Sequence, residues 1–552
     1  MALRKTPNYT LLSQGEEQTL TVDFRERRHA RIWKWLVSGT FAVLVIIALI
    51  VNRSMGEVQL AMVPDNASSA CPQYPALKHS DATLKVREEV MEVLDSGDFL
   101  ERSVKNMQGA VQIPTESFDD MRPVGEDPRF DIFQQLHEYL EKTFPLVYSK
   151  LDDVVPVPEA TLSRWTYPPY SGHYDGRYIW GRGSVDCKNV VIAILESFEV
   201  LLEKGYEPER TMLIAFGFDE EISGWQGAKF LAQHIQDTKG KDSLELIIDE
   251  GLGFNELYGT NFALPGLGEK GYLDVKIEVE TAGGHSSIPP DHTAIGILSR
   301  IISTVEDNPY EPGLTPANPY FTTLQCGAEY GPDISPWLRK TIKASLKSPK
   351  SAKEVANYLA KEDIGKRYLM QTSQAVDIIN GGVKINALPE NVQAVIHHRI
   401  AFESRVSDIR TKYQSLIEKE ILPKFPFALD AWGTVSGNTS SNSAGKIILS
   451  DFDQPLEPSP ISPYDSHAYR IFTGTIKQIF GEDTIVAPSV MSGNTDTKFY
   501  WELTRNIYRF TPIKLDETMG NVHTVDEKSG MKEHVEAVRF YVQMIMNGDI
   551  SK

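Results

Sequence analysis

Only three cysteines occur in 552 residues. That scarcity excludes a disulfide framework and leaves room for at most one bridge among Cys71, Cys187 and Cys326, with nothing in their spacing to select the pair. A basic excess is also missing, since 56 lysines and arginines stand against 75 acids for a net charge of -19. No cationic face is left to neutralise phosphates, so nucleic acid is excluded as a partner. Internal repeats are absent too. A chain of this length, without cross-links or repeats, is expected to build two hydrophobic cores plus tails.

One long uncharged run is present, residues 35–51. At ~1.5 Å per residue it spans roughly 25 Å, close to a hydrocarbon core when its flanks snorkel. A cleaved signal peptide fits less well, because more than 30 residues precede the run and no small-residue cleavage pattern follows it. Arg25, Arg27, Arg28, Arg31 and Lys34 lie before it and Arg53 alone just after it, which predicts a cytosolic N-terminus and a lumenal or extracellular body. Sequons at Asn52, Asn66 and Asn438 permit glycosylation on that side. Residues 55–80 read as a stalk of small, polar and proline residues.

Periodicity organises the rest. Helical spacing marks 80–95, 130–151 and the segment with Val190, Val191, Ile194, Leu195, Phe198, Leu201 and Leu202. Residues 212–218 form a continuous apolar run, read as a strand buried on both faces; a helix over 227–234 and a second apolar strand over 244–248 follow. This βαβ grammar predicts an α/β fold with a mainly parallel sheet flanked by helices. From Gly271 the pattern becomes strict alternation, Tyr272, Leu273, Val275, Ile277 and Val279 against Asp274, Lys276, Glu278 and Glu280. Such alternation suits an antiparallel strand with one wet face and opens an inserted α+β lid domain. The expected organisation is a cytosolic tail 1–34, a transmembrane signal-anchor 35–51, a stalk 52–80, a catalytic domain in two parts, 81–268 and 457–552, and the lid domain 269–456.

Carboxylates gather where this fold would place a site, at the carboxyl ends of strands. Asp219, Glu220 and Glu221 end one predicted strand and Asp249 and Glu250 the other. Acidic runs are mostly solvated loops, but acids set directly against an all-apolar strand need a compensating charge, and a cation supplies it. Asp186, in a glycine-rich turn before a helix, reads alone as an N-terminal cap. His285, between Gly284 and Ser286, and His523, in a polar loop, are by themselves ordinary polar residues.

Taken together, the runs DVVPVP (153–158), Trp165, SGHYDG (171–176), GRGSVDCKN (181–189), GFDEE (217–221), IIDEG (247–251), GGHSS (283–287), GGVKINALPENV (381–392), SGNTDTKFYW (492–501) and HTVDE (523–527) resemble, in order, the aminoacylase and carboxypeptidase family of cocatalytic zinc metallopeptidases, and within it the fungal vacuolar carboxypeptidase S branch. The likeness extends over about 80–548. It implies two zinc ions. Asp186 would bridge them, Glu221 and His523 would complete one shell, and Asp249 would belong to the other. Glu220 becomes the general base and Asp153 the acid that orients a metal-bound histidine. His285, Asn386 and Arg399 become the groups that hold the substrate, Arg399 through its planar fork on a terminal carboxylate.

The implied activity is a vacuolar, single-pass type II carboxypeptidase acting on short Gly-Xaa peptides with a free C-terminus. Pairing of two chains through the lid is left open. Alternatives are an N-acyl amino acid amidohydrolase, because the same site cleaves any amide bearing a carboxylate, and a catalytically silent family member. One departure matters most, because Leu151 stands where the family has its first metal-binding histidine. A strand pair expected ahead of it is missing as well, since 144–150 run almost directly into 151–158. The second shell would then keep only Asp186 and Asp249, a pair that suits ions harder than zinc.

Overall fold

The computed structural model describes residues 70–77, 81–147, 164–206, 208–440, 442–514 and 521–550. The predicted anchor 35–51, Asn52, Asn66, Leu151 and Asp153 lie outside the described residues. Among the described residues no helix is long and apolar enough to cross a membrane. Those residues belong to one compact unit, Ser69–Lys552.

The chain is a mixed α/β protein built around two six-stranded sheets. In the first, the spatial order is Ile485–Val486, Thr260–Ala263, Ile247–Leu257, Ile507–Lys514, Gly266–Glu269 and Ser489–Met491. Three of its neighbouring pairs are parallel and two antiparallel, so the sheet is mixed where a mainly parallel one was expected. The hairpin between Ile247–Leu257 and Thr260–Ala263 supplies one antiparallel pair. Helices Lys188–Glu203, His467–Phe480 and Met531–Ile550 pack on this sheet. Lys188–Glu203 is apolar on several sides because it serves two cores, Val190, Ala193 and Leu201 in one, Val191, Ile192 and Leu195 in another. Phe472 meets Phe510 edge to face, with ring centroids 5.5 Å apart.

The second sheet runs Thr434–Gly437, Phe427–Ala431, Gly445–Asp451, Gly271–Thr281, Asn391–Ile400 and Ala375–Gly381. Alternation in Gly271–Thr281 buries Leu273, Val275, Ile277 and Val279 completely. Each such side chain is worth about 1.5–3 kcal/mol of burial. Val279 faces Val392 and Ile277 faces Ala394 across the ladder, and helices Ala294–Glu306 and Val406–Leu416 cover the buried face. The second helix continues into a π turn, Ile417–Ile421. Helices Tyr320–Tyr330, Pro336–Ser345 and Pro349–Glu362 form a separate apolar cluster that the sequence reading did not identify.

The predicted strand 212–218 is a correction. Residues 211–217 run without helix or ladder, with Leu213 and Ala215 exposed and Met212, Ile214 and Phe216 half-buried. They line a cavity of about 580 Å³ together with Ile247, Ile248, Val191, Ile194, Tyr541 and Met544. An apolar run becomes a strand only when a partner takes its backbone hydrogen bonds. None of the described residues does so here.

Candidate metal centre

A small third sheet brings the site together. His173–Tyr174, Tyr178–Trp180 and Lys528–Gly530 pair so that Lys528 faces Trp180 and Gly530 faces Tyr178. The glycine-rich turn after Trp180 and the loop before Lys528 are thereby neighbours. Glu527 locks them. Its carboxylate, fully buried, pairs with Arg182 at 2.7 Å and accepts the backbone N–H of Val185 at 2.9 Å. A weaker bond from the Asp186 N–H, 3.3 Å, fixes the direction of the next side chain.

Asp186 leaves this turn just ahead of Lys188–Glu203. Its Oδ2 lies 2.9 Å from Nε2 of His523, and the same nitrogen lies 3.4 Å from Oε1 of Glu221. Asp186, Glu221 and His523 each offer one ligand atom within 4.8 Å of the others. A second group meets the same condition: Asp186, Cys187 and Glu250. Asp186 belongs to both groups, so a cation held by either would have its carboxylate as a ligand. One imidazole nitrogen with carboxylates fits the donor preferences of zinc.

Charge in the site points the same way. Asp186 and Glu221 hold the His523 imidazolium so well that its pKa rises to about 10. Burial, then the charges of Glu221, Asp496, Asp186 and Asp249, push Glu220 well above the usual carboxylate range. Glu250 is raised for similar reasons, burial first and then Glu220, Asp186 and Asp249. So many acids driven toward protonation mark a place where positive charge is in demand.

Glu221 and Glu220 sit on the single turn Glu220–Ile222, so the two carboxylates take different directions. Glu220 is in neither ligand group. Asp219 before them is structural: it accepts N–H groups of Gly227 at 2.8 Å and Ala228 at 3.0 Å and anchors the start of Ala228–Lys239.

Asp249 and Glu250 are consecutive on Ile247–Leu257 and therefore point to opposite faces. Asp249, predicted as a ligand, is in neither group; burial lifts its pKa to about 6 against the opposing effects of Thr495 and Arg509. Thr495 and Arg509 belong to a buried cluster with Glu269, in which Arg509 reaches Glu269 at 2.9 Å. Gly251 completes the motif because a side chain there would come within 2.6 Å of the Arg509 backbone.

The substrate-binding candidates are divided. Arg399, on Asn391–Ile400, bonds Asn494 and feels the charges of Glu269 and Glu220. His285 and Asn386 are exposed and adjacent to one another, with the Ser286 N–H donating to the Asn386 carbonyl at 3.3 Å. Among the described residues no hydrogen bond or ion pair joins either to the carboxylate cluster. Sequence reasoning passed over Cys187 and Glu250, which form a potential ligand group with Asp186, and Arg182 and Glu527 beside them. The strand's alternation puts Asp249 and Glu250 on opposite faces without saying which face meets Asp186, and Glu527 closes the HTVDE run.

A family model described as Peptidase family M20/M25/M40 matches residues 152–547 and so opens one residue past Leu151. Carboxypeptidase S of Saccharomyces cerevisiae is 37% identical over 521 aligned positions, covering 86% of this chain and 88% of that one. The Bos taurus N-fatty-acyl-amino acid synthase/hydrolase PM20D1 is 31% identical, with 80% of this chain and 87% of that one covered. Among solved structures, the M20 family metallo-carboxypeptidase Sso-CP2 from Sulfolobus solfataricus superposes with a TM-score of 0.54 at 18% identity, over 81% of this chain and 99% of that one. That is a likeness of fold. The yeast alignment is longer than the 86% of 552 residues contributed to it here, so several tens of its positions fall opposite gaps in this chain.

Proposed function

Since the chain belongs to the M20/M25/M40 peptidase family, we propose that it is a zinc carboxypeptidase that removes the last residue of short peptides of the Gly-Xaa type. The observation that carries the reading is Asp186, shared between two groups of potential ligands. Zinc, when bound, would polarise the scissile carbonyl and acidify water.

The rest falls to the protein. Glu220 lies beside both groups without belonging to either, and its raised proton affinity suits it to take a proton from the attacking water and pass it to the leaving amine. Glu527 and Arg182 keep the Asp186 turn rigid. Arg399 offers a guanidinium for the terminal carboxylate of the peptide. His285 and Asn386 would join from the separate two-stranded sheet of Gly284–His285 and Ala387–Leu388, through closure of residues 269–456 as a lid or by pairing of two chains. Ile288, Val383 and Ile385, all highly exposed on the same stretches, supply apolar surface for either.

A bridge between Cys71 and Cys326 supports residence in an oxidising compartment such as the vacuole, on the far side of a membrane anchored through 35–51. The test of function is release of leucine from Gly-Leu by the purified chain with zinc. Zinc-dependent release that Glu220→Gln removes is the expected result; a zinc-loaded protein inert toward such dipeptides contradicts the reading.

A further inference from the structure

The group on the Glu250 side of Asp186 has an unusual composition. In place of an imidazole it offers the sulfur of Cys187, the residue directly after Asp186, with the carboxylate of Glu250 as third donor. Cys71 and Cys326 are joined to one another, so Cys187 is the one cysteine outside the disulfide. Its thiol is a hydrogen-bond partner of the Glu250 carboxylate. A second observation lies two residues further on. Asn189 is fully buried, yet neither atom of its amide has a hydrogen-bond partner among the described residues. Buried amides are ordinarily satisfied, so the start of Lys188–Glu203 has polar capacity that the protein itself does not use.

We propose that Asp186, Cys187 and Glu250 form a thiolate-containing site for a soft divalent cation, zinc or cadmium, in which Cys187 sulfur serves as the strong donor. The proposal rests on the metallopeptidase reading and deepens it. Two carboxylates alone would favour hard ions, whereas one thiolate shifts preference toward zinc, cadmium and cobalt over magnesium and manganese. On binding, the Sγ–H bond of Cys187 breaks, its proton leaves to solvent, and the sulfur forms a bond to the metal. The hydrogen bond to Glu250 is given up in the same event, which frees that carboxylate as a ligand. No oxidant or reductant is needed. The bland alternative is a thiol that only donates to Glu250, which would stay protonated whatever ion is added.

Titration of the full chain with Co²⁺ separates the two. A thiolate ligand gives an intense sulfur-to-cobalt charge-transfer absorption in the near ultraviolet, apart from the weak visible bands of cobalt held by nitrogen and oxygen. The expected result is such a band with the wild-type chain, lost in Cys187→Ser while the visible bands of the His523 group persist. Because the variant could misfold, the wild-type chain is also alkylated with iodoacetamide and the modified peptide mapped. Zinc should slow labelling of Cys187 at least ~10-fold, the scale set by metal occupancy of a thiolate. Cobalt bound without the band, or labelling indifferent to zinc, overturns the thiolate site and leaves the His523 group standing. Failure of the chain to bind cobalt at all would overturn both this site and the metallopeptidase reading.

Discussion

The two large sheets were built by the same chain to different standards. In the second, Gly271–Thr281 is paired along nearly its whole length with Asn391–Ile400 and from Val275 to Thr281 with Gly445–Asp451, and its inward side chains are fully buried. In the first, Ile247–Leu257 meets Thr260–Ala263 only through Phe254 to Leu257, its ladder with Ile507–Lys514 shifts register twice, and the apolar segment 211–217 lies alongside a cavity of about 580 Å³. The candidate metal centre borders the first, less regular sheet. Glu220 and Glu221 follow the unpaired segment, and Glu220 and Glu250 themselves line the cavity.

The largest effect should come from supplying the strand pair that the family resemblance leads one to expect ahead of Leu151. Inserting the corresponding strand pair of a carboxypeptidase S relative, with its histidine, between Lys150 and Leu151 should raise Gly-Leu hydrolysis by on the order of 100-fold, the usual worth of a restored metal environment. Leu151→His alone should not. Full activity in that single variant, measured as kcat/KM, would show that the missing strands are irrelevant. Next comes packing. Ile277→Ala in the complete sheet should cost about 2–4 kcal/mol in urea unfolding, whereas Ile214→Ala beside the cavity should cost less than about 1 kcal/mol. Equal losses would erase the contrast.

Acidity should separate the regions by sign. His398, buried in the second sheet against Tyr413 and the Leu273 carbonyl, has its pKa pushed down by burial to about 4. Its folded value lies below its unfolded one, so the stability it lends is present above pH ~6.5 and is lost as pH falls through ~4, on the order of 3 kcal/mol in all. His523 has the opposite sign. Held near 10 by Asp186 and Glu221, it stabilises the metal-free chain fully below pH ~6.5 and ceases to do so as pH rises through ~10. Zinc, which competes with that proton, should flatten the alkaline arm and leave the acid arm unchanged. Thermal melts from pH 4 to 10, with and without zinc, read both. The smallest expected contrast is within one strand: Glu250→Gln should weaken the second equivalent of cobalt ~10-fold or more, and Asp249→Asn should weaken it less.

Much of this was legible in the residues themselves. The alternation from Tyr272 to Val279 specifies one buried face and needs nothing from elsewhere in the chain, so that strand formed as read, paired with Asn391–Ile400. The run 212–218 carries an equally strong apolar signal, but burial on both faces depends on neighbours, and its composition could not report that they were absent. The family resemblance, rather than any spacing, named Asp186, Glu221 and His523 as ligands of one cation, and the three side chains do meet. Choosing between Asp249 and Glu250 required knowing which face of Ile247–Leu257 looks toward Asp186, and that depends on the Glu269 and Arg509 cluster on the other side. The pairing of Cys71 with Cys326, separated by 255 positions, is likewise a product of the tertiary fold alone.

The most direct test of the account is zinc stoichiometry in single-site variants, followed by calorimetric titration of the purified full chain. If Asp186 serves both groups, Asp186→Asn should abolish both equivalents, while His523→Ala should remove one and leave the other. A chain in which Asp186→Asn still binds one zinc as tightly as before would contradict the shared carboxylate on which the proposed site is built.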